Sequence, residues 1–195
     1  MILVTGATGL VGSHILFKLL EKGQQVRALY RAGSDLERIK RVFGYYSKTP
    51  EDLFNKIDWY EADILDPAEL DGAFKNIQRV YHCAALISFD PKDKKQLYKT
   101  NVIGTQNVIN YCIHHKVKKI CYVSSIAALG DGVHQQLMDE ETEWDENTQS
   151  AYSVTKYGAE KEVWRGAQEG LKVVIVNPGI IIGPGFWHTG SGALF

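Results

Sequence analysis

Hydrophobic positions along the chain alternate between two kinds of pattern. Short apolar runs rich in Val, Ile and aromatic residues fall at 1–5, 25–30, 57–61, 79–84, 119–124 and 172–177. The unbroken run Met1-Ile-Leu-Val4 is what a strand buried on both faces requires. Between them, apolar residues recur three and four apart, and this spacing predicts helices over 10–22, 34–43, 66–75, 92–115 and 151–168. A further short helix is predicted within 48–55. Asp66-Pro67 marks one helix start, an N-cap followed by proline at the first helical position. Strands and helices alternate to the end, with no repeat and no low-complexity segment. That order predicts one doubly wound α/β domain over 1–195, a parallel sheet with helices on both faces.

The first turn of this pattern carries chemistry. Met1-Ile-Leu-Val4 runs straight into Thr5-Gly6, and helical periodicity begins at Leu10. Gly6, Gly9 and Gly12 therefore occupy a strand-to-helix turn. Gly6 permits the tight turn, Gly9 lets the backbone approach a pyrophosphate, and Gly12 lets the helix pack closely. The helix N-terminus adds amide donors and a partial positive charge for phosphates. The spacing is G-x-x-G-x-x-G, a variant of the dinucleotide fingerprint G-x-G-x-x-G. The fold expected is Rossmann-like.

A second constellation lies far along the chain. Tyr152 and Lys156 stand four apart on a predicted helix and so share a face. An unperturbed phenol is a poor base at neutral pH, and a nearby ammonium is expected to lower its pKa. Tyr122-Val-Ser-Ser125 ends the preceding strand. In a doubly wound sheet, carboxyl ends of strands face the ligand. Ser125 can then bond a substrate oxygen opposite Tyr152, the general acid/base of the pair. The second strand ends at Tyr30-Arg31, with no carboxylate before Asp35. An acidic residue there would favour the free ribose of NAD, whereas a guanidinium suits a 2′-phosphate. NADP(H) is the favoured cofactor and NAD(H) the alternative.

Composition narrows the partners. A net charge of −1 argues against nucleic acid. No apolar run is long enough to span a membrane, and the chain opens directly on a strand with no signal segment, so a cytoplasmic protein is expected. The three cysteines, Cys83, Cys112 and Cys121, lack metal spacing and read as reduced, buried residues. His14, His82, His114, His115, His134 and His188 share no ligand spacing, so no metal site is expected. The acidic stretch 139–146 reads as a solvated loop.

Taken together, Thr5-Gly-Ala-Thr-Gly-Leu-Val-Gly12, Asp63, His82-Cys-Ala-Ala85, Asn101-Val-Ile-Gly-Thr105, Val123-Ser-Ser125, Tyr152-Ser-Val-Thr-Lys156 and Asn177-Pro-Gly179 resemble the extended short-chain dehydrogenases/reductases. That is the branch of NAD(P)-dependent epimerases, dehydratases and reductases, and the chain looks closest to its dihydroflavonol-reductase-like and 3β-hydroxysteroid-dehydrogenase-like members. The resemblance implies Tyr152 as acid/base, Lys156 as ribose-binding residue and Ser125 as the group that polarises the substrate oxygen. It implies cofactor contacts at Gly6, Thr8, Gly9, Leu10, Val11 and Gly12, at Asp63 and Ile64 for the adenine, and at Ala84, Ala85 and Pro178. Asn101 matches a position that is structural or relay-forming.

Two departures from the family pattern are informative. Dehydratases carry an Asp-Glu pair after the catalytic hydroxyl, where Ile126 and Ala127 stand here, so dehydration is disfavoured. Leu86-Ile-Ser-Phe89 is apolar for a nucleotide-sugar site. The family continues for about a hundred residues more, a size consistent with a second small lobe that supplies most substrate contacts. This chain is therefore expected to be the nucleotide-binding part, able to bind cofactor but with little turnover alone. The function expected is reversible hydride transfer with a small carbonyl or alcohol substrate, ketone reduction first. A nucleotide-sugar 4-epimerase with bound NAD is the alternative, and a non-catalytic cofactor-sensing module the third reading. A homodimer is left open.

Overall fold

The computed structural model describes residues 1–130, Trp144 and 149–186. The acidic stretch 139–146 apart from Trp144, together with His134, His188 and the Gly/Ser-rich end, lies outside the described residues. Six parallel strands form one sheet: β1 (Ile2–Thr5), β2 (Val26–Tyr30), β3 (Asp58–Glu61), β4 (Arg79–His82), β5 (Lys119–Val123) and β6 (Lys172–Val176). Their spatial order is β3-β2-β1-β4-β5-β6. The order reverses between β1 and β4, which pair from Ile2↔Arg79 to Thr5↔His82. That reversal opens a crevice at the carboxyl ends, the usual ligand position in open α/β sheets.

Alternation along β1 shows why its run is continuously apolar. Ile2 and Val4 pack with Leu16, Phe17, Leu20, Ile39 and Phe43 on one face. Leu3 packs with Leu70, Phe74, Val108, Ile109, Ala159 and Val163 on the other. The first face is covered by α1 (Leu10–Glu21), α2 (Glu37–Gly44) and α3 (Pro50–Phe54). The second is covered by α4 (Pro67–Ala73), α6 (Gly104–His114) and α7 (Ala151–Gln168), with α5 (Lys94–Leu97) packed against α7. β6 is an edge strand: Val173 and Ile175 pack on the core, while Val174 and Val176 are exposed.

Helix starts follow their caps. Asp66 accepts from the amides of Ala68 and Glu69, with Pro67 at the first position. Ser150 accepts from Ser153 N and opens α7. α2 begins at Glu37 rather than at 34, because Ser34 N donates to Arg31 O in a turn and Asp35 Oδ1 caps Arg38 N. The helix predicted over 92–115 is not uniform. It comprises a 3₁₀ turn at Pro91–Asp93, α5, a π-helical segment at Tyr98–Ile103 and α6. An inserted residue of this kind re-aims side chains, and Asn101 lies inside the segment.

Candidate active site

A parallel sheet puts all its strand carboxyl ends on one edge, and the residues singled out in the sequence follow those ends. Gly6 comes after β1, Arg31 after β2, Asp63 and Ile64 after β3, Ala84 and Ala85 after β4, Ser125 after β5 and Pro178 after β6. Tyr152 and Lys156 reach the same edge from the first turns of α7, which packs along the sheet there.

The glycine turn is built from backbone contact. Gly6 has φ +63, and a Cβ there would sit 2.6 Å from Ala84 N and 2.7 Å from Cys83 C. A Cβ on Gly12 would collide with Gly6 O and come within 2.8 Å of Ala7 Cα, so α1 rests on its own turn. Gly9 is the extended N-cap of α1, and no side chain caps the helix. The first-turn amides of Leu10 and Val11 are therefore left for a ligand. A buried network fixes the strand ends beside the turn. Thr5 Oγ1 lies 2.6 Å from His82 Nδ1, and His82 Nε2 lies 3.0 Å from Thr105 Oγ1 on α6. Ala84 N donates to Thr5 Oγ1 at 3.3 Å. Burial first, then the Lys156 charge, pushes the His82 pKa down to about 3, so the ring is neutral.

At the far end of the crevice a cleft of about 500 Å³ is lined by Arg31, Gly33, Ser34, Glu61, Asp63 and Glu69. Asp63 Oδ1 accepts from Leu65 N, and its amide donates to Glu69 Oε2 at 2.7 Å. Ile64 is core: its side chain is buried, its carbonyl accepts from Asn107, and Gly104 leaves it room. Only its backbone can face a ligand. The guanidinium of Arg31 has no hydrogen-bond or ion-pair partner among the described residues, while Arg38 and Arg41 are both engaged by Asp35. Glu61 was not anticipated in this cleft. The register Tyr30↔Glu61 brings it beside the end of β2.

Tyr152 is 8% exposed and lies within hydrogen-bonding reach of the Ser125 hydroxyl. Ser125 is an extended N-cap whose hydroxyl accepts from Ala127 N at 3.1 Å. Ser124 is buried, with its amide tied to Val176 O. The structure thus brings Ser125, and not Ser124, to the phenol. The expected depression of the Tyr152 pKa by Lys156 is absent. Burial pushes the phenol up, and the Ser125 hydrogen bond only partly opposes it. The Lys156 ammonium instead donates to Tyr122 OH at 2.9 Å and Val123 O at 3.0 Å. Burial lowers the Lys156 pKa to about 8, opposed chiefly by the nearby Glu160 carboxylate.

Three further residues complete the site. Asn101 is 1% exposed and clamps Leu86 through both amide and carbonyl, at 2.8 and 3.0 Å. It also donates to Thr155 Oγ1 at 3.1 Å, between Tyr152 and Lys156 on α7. Asn177 Nδ2 donates to Ser125 O at 3.1 Å and to Glu160 Oε1 at 2.6 Å. Past the clamp, Phe89 is 77% exposed and meets the Tyr152 ring edge to face at 5.8 Å. Ile87 and Ile126 are exposed near this end.

Away from the crevice, Asp71, His114 and His115 place one ligand atom each within 4.8 Å of one another. Their sequence spacing gave no sign of it, because Asp71 comes from a different helix. His115 Nε2 and Asp71 Oδ1 are already paired at 2.9 Å. All three cysteines are free, and burial raises their thiol pKa values, that of Cys83 to about 12. No helix among the described residues is long and apolar enough to cross a membrane.

Known proteins share this architecture. A Synechocystis sp. protein provisionally named a dihydroflavonol 4-reductase is 38% identical over 93% of the chain and 49% of its own length. Cinnamoyl-CoA reductase 1 of Petunia hybrida is 31% identical over 94% of the chain and 55% of its own length. A crystal structure of UDP-glucose 4-epimerase with UDP-glucose, from Thermotoga maritima, superposes with a TM-score of 0.74 at 27% identity, covering 90% of this chain and 54% of that one. The chain spans about half the length of the curated relatives it matches. The NAD dependent epimerase/dehydratase family model matches residues 2–194, and with the glycine turn and the Tyr152–Lys156 helix in place, the chain belongs to that family.

Proposed function

We propose that this chain forms the cofactor-binding and proton-transferring part of an NADP(H)-dependent carbonyl reductase. The observation that carries the reading is the Tyr152 phenol, held neutral by burial, within reach of Ser125 and walled by Phe89. A neutral phenol is the form that gives a proton to a ketone oxygen, as reduction requires. The residues fit a dinucleotide. Gly6 and Gly12 leave a cradle that a Cβ would fill, the α1 amides are uncapped, and the Arg31 guanidinium lacks a partner among the described residues.

In this reading Leu10 and Val11 amides hold the pyrophosphate, with Thr8 and Gly9 beside it, and Asp63 binds the adenine amino group. Arg31 takes the 2′-phosphate, and Ala84, Ala85 and Pro178 border the remaining cofactor. The bound nicotinamide supplies the hydride. Ser125 orients the carbonyl oxygen, and Tyr152 donates the proton to it. Lys156 binds the ribose, and the Tyr152 phenolate left by the transfer takes a proton back from solvent. Phe89, Ile87 and Ile126 present an apolar wall, which suits a hydrophobic ketone better than a nucleotide sugar.

The epimerase reading also has support. Glu61 and Glu69 share the cleft with Arg31, and carboxylates there suit the free ribose hydroxyls of NAD. Oxidation of NADPH and NADH, followed with a panel of hydrophobic ketones and a panel of UDP-sugars, separates the two. NADPH consumption with a ketone supports the reductase. Inversion of a UDP-sugar without net cofactor oxidation replaces it with the epimerase.

A further inference from the structure

Lys156 is a cation with only 1% exposure, and a buried ammonium needs a countercharge as well as hydrogen bonds. Its two hydrogen-bond partners, Tyr122 OH and Val123 O, are neutral acceptors. The other groups that face it can be taken in turn. On β4 and just beyond it, His82 is neutral and the Cys83 thiol is pushed up to about 12. On β5, burial and the Glu160 charge hold Tyr122 as a phenol. On α7 itself, Tyr152 is also held as a phenol. None of these carries negative charge near neutral pH. Glu160 remains: it stands one helical turn beyond Lys156 on the same face of α7 and is 8% exposed. It acts on both Lys156 and Tyr122 through its charge.

Glu160 is also held in place. Asn177, just after β6, donates to its Oε1 at 2.6 Å and to the carbonyl of Ser125 at 3.1 Å. The segments after β5 and β6 are joined again where Ile126 N donates to Pro178 O. One amide thus ties the carboxylate behind Lys156 to the backbone of Ser125.

We propose that Glu160 is a positioning residue, the buried counter-ion that keeps Lys156 charged for cofactor binding, with Asn177 locking it to the Ser125 turn. The proposal rests on the cofactor-binding role given above to Lys156. Removing the Glu160 charge should lower the pH at which Lys156 loses its proton by about one unit or more, as expected for one charge a helical turn away at an effective dielectric of about 20.

The test is a fluorescence titration of NADPH against the chain between pH 6 and 10. Wild type should lose affinity as pH rises through about 8, where the Lys156 ammonium deprotonates. In Glu160→Gln the loss should begin near neutrality, giving roughly threefold weaker binding than wild type at pH 7.5, approaching tenfold near pH 9, and near-equal binding at pH 6. Glu160→Asp, which keeps the charge, should recover much of the wild-type profile. A loss that is equal at every pH, or no loss, overturns the proposal. Failure of wild type to bind at all overturns the cofactor reading instead.

A second measurement does not depend on the cofactor. Lys156→Met should strand a buried carboxylate and lower the thermal midpoint. Lys156→Met combined with Glu160→Gln should be more stable than Lys156→Met alone. Strictly additive losses would mean the two residues are uncoupled and would also overturn the proposal.

Discussion

Asn101→Ala should destabilise the chain by about 3 kcal/mol. The side chain makes three hydrogen bonds, to Leu86 N, Leu86 O and Thr155 Oγ1. Each contributes about 1 kcal/mol net when the partners lose them in a buried setting. Leu86 is only half-buried, so water can recover part of the loss, while the space vacated by a side chain at 1% exposure adds to it. For a domain of this size about 3 kcal/mol corresponds to a fall of roughly 6–12 °C in thermal midpoint. Asn101→Asp is the sharper variant. Its second oxygen would replace the amino group that now faces Leu86 O and Thr155 Oγ1. A carboxyl buried there has its pKa raised above the unfolded value, so its neutral form is favoured, and stability is lost as pH rises. Urea unfolding at pH 5 and pH 8 reads both effects. Asn101→Ala within 0.5 kcal/mol of wild type (about the scatter of neutral surface changes), or Asn101→Asp more stable at pH 8 than at pH 5, would refute the clamp.

Three other outcomes follow from the site. Tyr152→Phe should abolish reduction in the protein bearing this chain while leaving NADPH affinity within about twofold, since the phenol acts on substrate; retained turnover in steady-state assays would remove Tyr152 from its role. Arg31→Ala should weaken NADPH binding by about one to two decades and leave NADH little changed, the loss expected for a charge-assisted phosphate contact; equal effects on the two cofactors would remove Arg31 from the 2′-phosphate. His82 has a folded pKa of about 3 against 6.5 unfolded, so its contribution to stability is full above pH 6.5 and lost as pH falls toward 3. Between pH 6.5 and 5 that is a loss of up to about 2 kcal/mol, and His82→Gln should show a shallower decline over that range in urea titrations.

Much of the fold was legible because its signals are local. The unbroken apolar run of β1, the apolar-rich segments at β2, β4 and β5, and helical spacing in α1 and α7 are properties of short windows. The Asp66-Pro67 cap was read at its position. The π-helical segment at Tyr98–Ile103 was not legible: within it Asn101 is held by Leu86 and Thr155, contacts that helical spacing does not specify. Glu61 entered the cleft beside Arg31 through the register of β3 on β2, which the strand patterns do not specify. The Tyr152–Lys156 pairing was correctly placed on one face, but their electrostatic relation was not. The spacing brings the side chains near each other, whereas Tyr122 OH and Val123 O decide where the ammonium points. Glu160 could have been found. It continues the stripe of Tyr152 and Lys156 by four residues, and a charge on a buried stripe needs a reason.

The most direct test of the reductase account is isotopic. The protein bearing this chain would be incubated with NADPH deuterated at nicotinamide C4 and with hydrophobic ketones, and the products read by mass spectrometry and NMR. The account predicts deuterium at the new carbinol carbon from one face of the nicotinamide only, and none with Tyr152→Phe. Absence of transfer to any ketone, with inversion at C4 of a UDP-sugar that keeps its own hydrogen, would contradict it.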